Sequence, residues 1–389
     1  MKKKSNLVDD FLYKLKNSLK KKTNGIHEPS IDASDKKIVS ECIGKNEVSA
    51  LGNYVRKLEN EIVKFTGSKY AITTSTGTSA LHLSLLAIGV NKNHEILVPA
   101  FNFIAAANAI LYCNATPHFV DIDNKNLGID VDYLENYLET NTIKKNKHYI
   151  NKKTKKIIYA IIPVYVFGNS YDIQKLKKIC KKFNIKIIED SAEALGTFYK
   201  NQHAGTFGLA GCLSFNGNKI ITTGVGGAVI TNNSNIYKYI KDKINNGKKS
   251  KTYELIYEQK TLNFRMADIN AALGLSQFIK IKKLIKNKRN LAKKYQRLFK
   301  NFEGVRFIGE DKNTKSNYWL NSVEIDFKSL KERTALFNKA KRLNVPIRPA
   351  WTPLSKLKYL KDCPKSNLKN TEEIYKKIIC IPSSAILGK

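Results

Sequence analysis

The chain has 389 residues and a hydrophobic fraction of 42%, a size and composition typical of a soluble globular protein with a large core. No stretch approaches the roughly 18 uninterrupted apolar residues that a membrane-spanning helix needs. The net charge of +35 is typical of proteins that bind nucleic acid or anionic membranes. However, the lysines are spread along the whole length instead of forming one cluster, so we expect neither partner.

The six cysteines are scattered and show no C-x-x-C spacing, so the sequence indicates neither a zinc site nor a disulfide framework. The lysine-rich start of the chain continues with Asp9 and Asp10 instead of an apolar segment, which argues against a secretory signal. We therefore expect a cytoplasmic protein without a metal site.

The predicted elements begin with a lysine-rich arm, residues 1–25, in which apolar residues at helical spacing predict a short helix. Two helical segments follow at 34–43 and 54–66, and after them strands and helices alternate. The predicted strands cover residues 70–74, 95–98, 117–121, 157–164 and 185–190, and the predicted helices cover 78–88, 104–111 and 173–183. A stretch rich in lysine and asparagine at 141–156 predicts a surface insertion. The alternation predicts an α/β fold with a mostly parallel central sheet, helices on both faces, and ligands beyond the carboxyl ends of the strands.

The pattern changes after Gly227. The elements predicted there are a strand at 228–231, a basic helical region up to Lys251, a largely helical stretch at 266–299, an edge or half-buried strand at 323–327 and a helix at 330–343. We therefore divide the chain into a basic arm at 1–25, a large α/β domain at 26–274 and a smaller C-terminal α+β domain at 275–389.

The stretch from Ser214 to Gly227 is polar and rich in glycine, and Lys219 within it has no acidic neighbour. A lysine amine forms a Schiff base with a carbonyl when its proton is easily lost. Ser214 is close enough in sequence to place a hydroxyl on an anionic group at the same site. The stretch therefore indicates a catalytic lysine, and a solvated surface lysine is the alternative for this motif alone.

Three predicted strand ends carry further candidates. Residues 75–79 precede a helix, where free N–H groups suit a phosphate, with simple N-capping as the alternative. Phe103 offers a ring for stacking or for packing in the core. Asp190 can neutralise a protonated ring nitrogen or act as a cap. Together with the lysine, these are the groups that pyridoxal phosphate requires.

In these segments the chain resembles the DegT/DnrJ-type sugar aminotransferases, and among them the LegC-type enzymes that act on nucleotide-linked 4-keto-6-deoxy sugars. The likeness runs from about residue 27 to residue 384. It rests on the ordered motifs Gly77-Thr-Ser-Ala-Leu-His82, Val98-Pro-Ala-Phe-Asn-Phe103, Glu189-Asp-Ser-Ala-Glu-Ala-Leu-Gly196, Gly205-Thr-Phe-Gly208, Ser214–Lys219, Asn263-Phe-Arg-Met266, Ile347-Arg-Pro-Ala-Trp351 and Cys380-Ile-Pro-Ser-Ser384. The resemblance implies a fold type I enzyme that depends on pyridoxal phosphate.

The resemblance also implies which residues bind the cofactor. Lys219 would form the Schiff base, and Asp190 would pair with the pyridine nitrogen. The other cofactor-binding residues would be Thr78, Ser79 and Ser214 on the phosphate, Phe103 on the ring, Glu193 near the phenolic oxygen, and Asn263 on the phosphate from the neighbouring subunit. The last of these roles implies a homodimer with shared active sites.

Two residues are candidates for substrate binding. By the resemblance, Arg348 would anchor the anionic nucleotide sugar or the carboxylate of the donor, with a surface ion pair as the alternative. Tyr165 stands where many relatives carry histidine, in a segment expected to contact the substrate.

The implied reaction is transfer of an amino group from L-glutamate to C4 of a nucleotide-linked 4-keto-6-deoxy-N-acetylhexosamine, for surface-glycan biosynthesis. A 3-keto sugar nucleotide is the alternative substrate. In the dehydratase branch of the same family histidine replaces the lysine, so Lys219 argues against that activity. A non-catalytic, basic regulatory or nucleic-acid-binding protein on the same fold is the alternative from another class.

Overall fold

The computed structural model describes residues 7–19, 23–50, 52–244 and 260–389, so the end of the basic helical region predicted up to Lys251 lies outside the described residues. The helices are α1 (Leu7–Ser18), α2 (Ala33–Gly44), α3 (Asn53–Thr66), α4 (Gly77–Ala87), α5 (Ala105–Tyr112), α6 (Val131–Asn141), α7 (Ile173–Lys182), α8 (Ser234–Ile244), α9 (Asp268–Ile279), α10 (Ile281–Phe299), α11 (Leu330–Arg342) and α12 (Lys369–Lys377). In the described part of the chain, every helix is too short or too polar to span a bilayer.

The strands of the described residues form three sheets. They are β1 (Tyr70–Thr74), β2 (His94–Pro99), β3 (Thr116–Val120), β4 (Thr142–Lys145), β5 (His148–Asn151), β6 (Ile157–Ile161), β7 (Lys186–Asp190), β8 (Phe198–Tyr199), β9 (Gln202–His203), β10 (Ala210–Ser214), β11 (Gly227–Thr231), β12 (Val305–Phe307), β13 (Thr314–Lys315), β14 (Asn321–Ile325), β15 (Arg348–Pro349) and β16 (Ile378–Ile381).

The central sheet has the strand order β1-β11-β10-β7-β6-β2-β3, with the hairpin β4–β5 attached to β6. From β10 to β3 all neighbours are parallel, whereas β11 pairs antiparallel with β1 and β10. The parallel strands are nearly continuous runs of buried residues, as expected for strands covered on both faces. The predicted α/β fold with a mostly parallel sheet is confirmed.

The insertion predicted at 141–156 forms the hairpin β4–β5. Its open end, where Thr142 pairs with Asn151, turns inward, because Asn151 is buried and its side-chain amide donates a hydrogen bond of 2.9 Å to Glu95. The same carboxylate is 2.7 Å from Nδ1 of His118. The hairpin thus closes a polar network at the amino end of β2, the edge of the sheet that parallel α/β proteins do not use for ligands.

The C-terminal part contains an antiparallel sheet in the order β12-β14-β16-β15. The strand predicted at 323–327 as an edge or half-buried strand is β14, which lies between β12 and β16 and is mostly buried. Its less buried residue Glu324 forms an ion pair of 2.6 Å with Arg306 on β12. The alternation in the sequence therefore marks one solvated position and not a sheet edge.

The helix predicted in the arm is α1, and it packs on the C-terminal part. Its buried face stacks Phe11 on Phe299 of α10 at a centroid distance of 5.5 Å. Asp9 forms an ion pair of 2.6 Å with Lys339 of α11. The division at 1–25, 26–274 and 275–389 stays our proposal, with the arm packed against the smaller domain.

Candidate active site

One cavity of about 300 Å³ lies at the carboxyl ends of β7 and β10, beside the N-terminus of α4. Both parts of the chain contribute to its wall. The lining residues are Thr76, Gly77, Thr78, Leu81, Asn102, Phe103, Ala105, Val164, Asp190, Ala192, Glu193, Ser214, Asn216, Asn218, Lys219, Val225, Gly226, Trp319, Arg348 and Trp351. The structure therefore brings together most of the residues that the sequence predicted to act at one site.

Lys219 lies in the loop between β10 and β11, and its amine faces the cavity. The turn is fixed by the Lys219 N–H, which donates to the carbonyl of Asn216 at 2.9 Å. The side-chain Nζ lies 3.2 Å from Oε1 of Glu193 and 3.7 Å from the ring centroid of Trp319. A carboxylate and an aromatic face therefore hold the amine at the wall.

Asp190 is the last residue of β7, and its side chain is buried. Burial raises the pKa of this carboxyl to about 6, and the nearby Glu193 also raises it, whereas the N–H of Ala192 and the charge of Lys219 lower it. The N–H of Ala192 donates a hydrogen bond of 3.1 Å to Oδ1 of Asp190. A buried carboxylate with so little compensation favours a cationic partner, such as a protonated ring nitrogen.

The N-terminus of α4 forms one end of the cavity. Thr76 is the N-cap, and its side chain accepts a hydrogen bond of 2.9 Å from the N–H of Ser79. Capping uses that N–H, whereas Gly77 and Thr78, in the first turn at the positive end of the helix, line the cavity. A Cβ added at Gly77 would lie 3.0 Å from Cβ of Ser214. A side chain at Gly77 would therefore fill the narrow gap between the first turn of α4 and Ser214, which we call the anion cradle.

The Glu193 carboxylate accepts hydrogen bonds both from Lys219 and from the loop after β6. Its Oε2 accepts a hydrogen bond of 2.8 Å from the N–H of Phe167, whose φ of +57° lies in the left-handed region. Burial raises the pKa of the Glu193 carboxyl, and the charge of Lys219 is the main opposing effect. The bond from Phe167 thus helps to keep a strained turn and the carboxylate in one place.

Arg348 lies on β15 and reaches the cavity from the C-terminal part. Its Nε is buried and has no hydrogen-bond partner among the described residues. A guanidinium with an unused donor at a cavity wall suits a carboxylate or a phosphate.

The aromatic part of the wall is larger than the sequence predicted. Phe103 is 52% exposed at the cavity. Trp319 and Trp351, the only tryptophans of the chain, also line the cavity, although the sequence analysis gave them no role. Trp351 packs against Phe167 at a centroid distance of 4.9 Å. The rarity of tryptophan was the signal that could have identified both, and Trp351 also stands in one of the quoted motifs.

Three predicted site residues do not line the cavity. Ser79 lies one helical step behind it, with its hydroxyl 2.8 Å from Oγ1 of Thr76. Tyr165 is fully buried, and its hydroxyl donates to Glu189 at 2.5 Å, so the structure does not place it on the wall. Asn263 is exposed and lies outside the wall of its own chain.

The residues of the wall fit pyridoxal phosphate. The α4 N-terminus and Ser214 would hold the phosphate, Asp190 would face the ring nitrogen, and the Lys219 amine would meet the carbonyl carbon. The narrow cradle at Gly77 supports this fit, because a larger residue would remove the space for an anion.

Comparison with known proteins gives a consistent result. The sequence model of the DegT/DnrJ/EryC1/StrS aminotransferase family matches residues 29–389. GDP-perosamine synthase of Escherichia coli O157:H7 is 35% identical over 332 residues, which cover 85% of each chain. UDP-4-amino-4,6-dideoxy-N-acetyl-beta-L-altrosamine transaminase of Helicobacter pylori is 33% identical over 299 residues, covering 75% of this chain and 74% of the relative.

A similar fold is found in a solved structure, that of Helicobacter pylori PseC, described as an aminotransferase involved in the biosynthesis of pseudoaminic acid. The TM-score is 0.83 at 28% sequence identity, and the superposition covers 93% of this chain and 94% of the other. The likeness therefore extends over both parts of the chain.

Proposed function

The chain belongs to the DegT/DnrJ/EryC1/StrS aminotransferase family, and on that premise we propose that it transfers an amino group from L-glutamate to C4 of a nucleotide-linked 4-keto-6-deoxy-N-acetylhexosamine. As a member of this family, the chain is a sugar aminotransferase that depends on pyridoxal phosphate. The Helicobacter pylori transaminase is named for a UDP-linked 4-amino-4,6-dideoxy sugar with an N-acetyl group. This name supports the proposed substrate class and amination at C4. The product would serve surface-glycan biosynthesis.

The observation that carries the proposal is the placement of Lys219, Asp190 and the N-terminus of α4 around one cavity. When bound, the cofactor supplies an electrophilic carbonyl and an electron-accepting ring. The Lys219 amine removes the proton from the α-carbon of the amino donor, and in the second half of the reaction it delivers a proton to C4 of the sugar.

The neighbouring carboxylates have different tasks. Asp190 would hold a proton on the ring nitrogen of the bound cofactor, because a buried carboxylate is stabilised by an adjacent positive charge. Glu193 accepts a hydrogen bond from the Lys219 amine and keeps it at the wall. Tyr165 acts from outside the cavity wall, because its hydroxyl donates a hydrogen bond to Glu189, the residue before Asp190.

Arg348 is the proposed anchor for the anionic groups of the substrates. Its Nε has no partner among the described residues. Arg348 belongs to the C-terminal part of the chain, whereas Asp190 and Ser214 belong to the α/β part. A carboxylate of glutamate or a phosphate of the nucleotide sugar can each take this donor, since the two half-reactions use the site in turn.

We also propose a homodimer with shared sites. Asn263 is exposed and lies outside its own chain's cavity, which is compatible with a role at the site of a second copy. A cytoplasmic location is part of the proposal as well, supported by the six cysteines, all free and most of them buried.

The decisive assay incubates the purified holoenzyme with glutamate and with UDP- or GDP-linked 4-keto-6-deoxy sugars. We expect 2-oxoglutarate and a 4-amino sugar nucleotide, identified by mass spectrometry and by NMR of the sugar ring. Lys219→Ala should give no product, whereas Lys64→Ala, at an exposed position of α3, should behave as wild type. Amination of 3-keto sugars alone, or of no sugar nucleotide, would contradict the proposed substrate.

A further inference from the structure

The amine of Lys219 is held on two sides. On one side lies Oε1 of Glu193 at 3.2 Å, and on the other lies the face of Trp319, with its ring centroid at 3.7 Å. An ammonium over an indole face is attracted by the negative face of the ring, and the attraction is strongest where both groups are removed from water. Trp319 is only 2% exposed, so this contact is largely dry.

The indole is fixed to the backbone that carries the lysine. Its Nε1 donates a hydrogen bond of 2.6 Å to the carbonyl of Asn218, the residue before Lys219. The backbone of Trp319 is also held, because its carbonyl accepts a hydrogen bond of 3.0 Å from Nζ of the fully buried Lys288. The ring therefore cannot tilt away without losing the Nε1 bond, and the bond from Lys288 holds the backbone that carries the ring.

Asn317 joins the two sides of the amine. Its Oδ1 accepts a hydrogen bond of 2.8 Å from the N–H of Trp319, and its Nδ2 donates to the carbonyls of Glu193 at 2.8 Å and Leu195 at 2.9 Å. One buried side chain thus sets the spacing between the backbone of Trp319, in the C-terminal part, and that of Glu193, in the α/β part.

We infer that Trp319 is a positioning residue whose indole face, with the Glu193 carboxylate, forms a resting place for the amine of Lys219 whenever that amine is not bonded to a carbonyl carbon. The inference rests on the proposed function, in which Lys219 is the reacting residue, and adds a second task to the wall of the site. An amine released during turnover returns to one point between the two parts of the chain, within reach of the next substrate.

The test measures how fast acetic anhydride labels Lys219 in cofactor-free protein, by peptide mass spectrometry, relative to the exposed Lys92 of the same sample. We expect Trp319→Leu to raise the labelling rate about tenfold, because the attraction is lost, and Trp319→Phe to raise it much less, because an aromatic face is kept. Trp351→Leu is the matched control, since it removes an indole from the same wall without touching the lysine. Equal acceleration by Trp351→Leu would mean that simple access to the cavity explains the effect, and would overturn the inference.

A second series separates attraction from shape. In a Trp351→Phe background, Trp319 is the remaining tryptophan, and it can be replaced biosynthetically by mono-, di- and trifluorinated analogues. Fluorine weakens the negative face of the ring with little change of shape, so labelling should rise with each fluorine. A rate that is constant across the series would overturn the inference. Because this assay uses neither cofactor nor substrate, its result is independent of whether Lys219→Ala abolishes transamination.

Discussion

Asp190 is buried, although aspartate is a residue that proteins usually keep in contact with water. Its burial raises its pKa to about 6 in the cofactor-free protein, so the folded state binds a proton that the unfolded state has already released. Burial favours the protonated form over the ionised form. The extra stability is therefore present below the unfolded pKa and is lost as the pH rises through about 6.

For Asp190→Asn, we expect the contribution of this one carboxyl to the pH dependence between about 4 and 6 to disappear, with a stability difference from wild type that grows to about 3 kcal/mol at neutral pH in favour of the variant. Urea unfolding of cofactor-free protein at a series of pH values measures this. Asp362→Asn, at an exposed position, is the control and should follow wild type. Parallel curves for wild type and Asp190→Asn would show that Asp190 titrates as a solvated acid.

The same substitution should abolish most of the activity. A neutral amide cannot stabilise a positive charge on a nitrogen that faces it, so we expect kcat of Asp190→Asn to fall by several orders of magnitude while the fold is kept. Steady-state kinetics with glutamate and a 4-keto sugar nucleotide measure the loss. Full activity in this variant would remove Asp190 from the site.

At the scale of elements, the close approach of β11 to α4 builds the anion cradle. A Cβ at Gly227 would lie 2.6 Å from the backbone N of Gly77 and from the carbonyl of Thr76, so β11 touches the first turn of α4 directly. These backbone atoms can make room for a Cβ only if the whole first turn of α4 moves. That turn is the proposed phosphate site.

We expect Gly227→Ala to destabilise the protein by about 1–3 kcal/mol through overpacking and to weaken retention of the cofactor during dialysis. Gly44→Ala is the matched control, because a Cβ at this last residue of α2 meets nothing within 4 Å. Urea unfolding and absorbance of the bound cofactor measure the two effects. Wild-type stability and retention in Gly227→Ala would contradict the role of this contact.

The elements were predictable where the pattern is local. The strand at 70–74 agrees with β1 residue by residue, and the helix predicted at 78–88 is α4 shifted by one residue, because its cap is Thr76. The hairpin at 141–156 was not predicted, since its lysines and asparagines resemble a loop. Its inward end depends on Glu95, a partner more than 50 residues away.

The candidate site was predictable to the same extent. Lys219 and Asp190 stand in motifs whose residue types indicate their chemical roles. The part played by Trp319 depends on Asn317 and on a loop of the other part of the chain, which no spacing in the sequence reveals. Tyr165 lies in the right segment, but the direction of its side chain, toward Glu189, is set by tertiary packing.

At the scale of the whole molecule, the proposed homodimer leads to a test by mixing chains. We expect chains carrying Lys219→Ala and chains carrying Asn263→Leu to be inactive separately and to regain activity when their subunits exchange. With equal amounts, about one quarter of all sites in a two-fold symmetric dimer would combine an intact Lys219 with an intact Asn263 from the other chain. Activity after denaturation and joint refolding measures the recovery.

Mass spectrometry of differently tagged chains is the control, since it verifies that mixed dimers have formed. No recovery in verified mixed dimers would show that each site is complete within one chain.

The aromatic wall of the cavity has one more consequence. Trp319 and Trp351 are the two tryptophans of the chain, and both line the cavity. When excited at wavelengths that spare tyrosine, the intrinsic fluorescence of the protein thus originates entirely at its site. Entry of a cofactor or a sugar nucleotide can therefore be followed optically in the unlabelled protein, and we expect rearrangements of the β4–β5 hairpin, at the opposite edge of the sheet, to leave that signal unchanged.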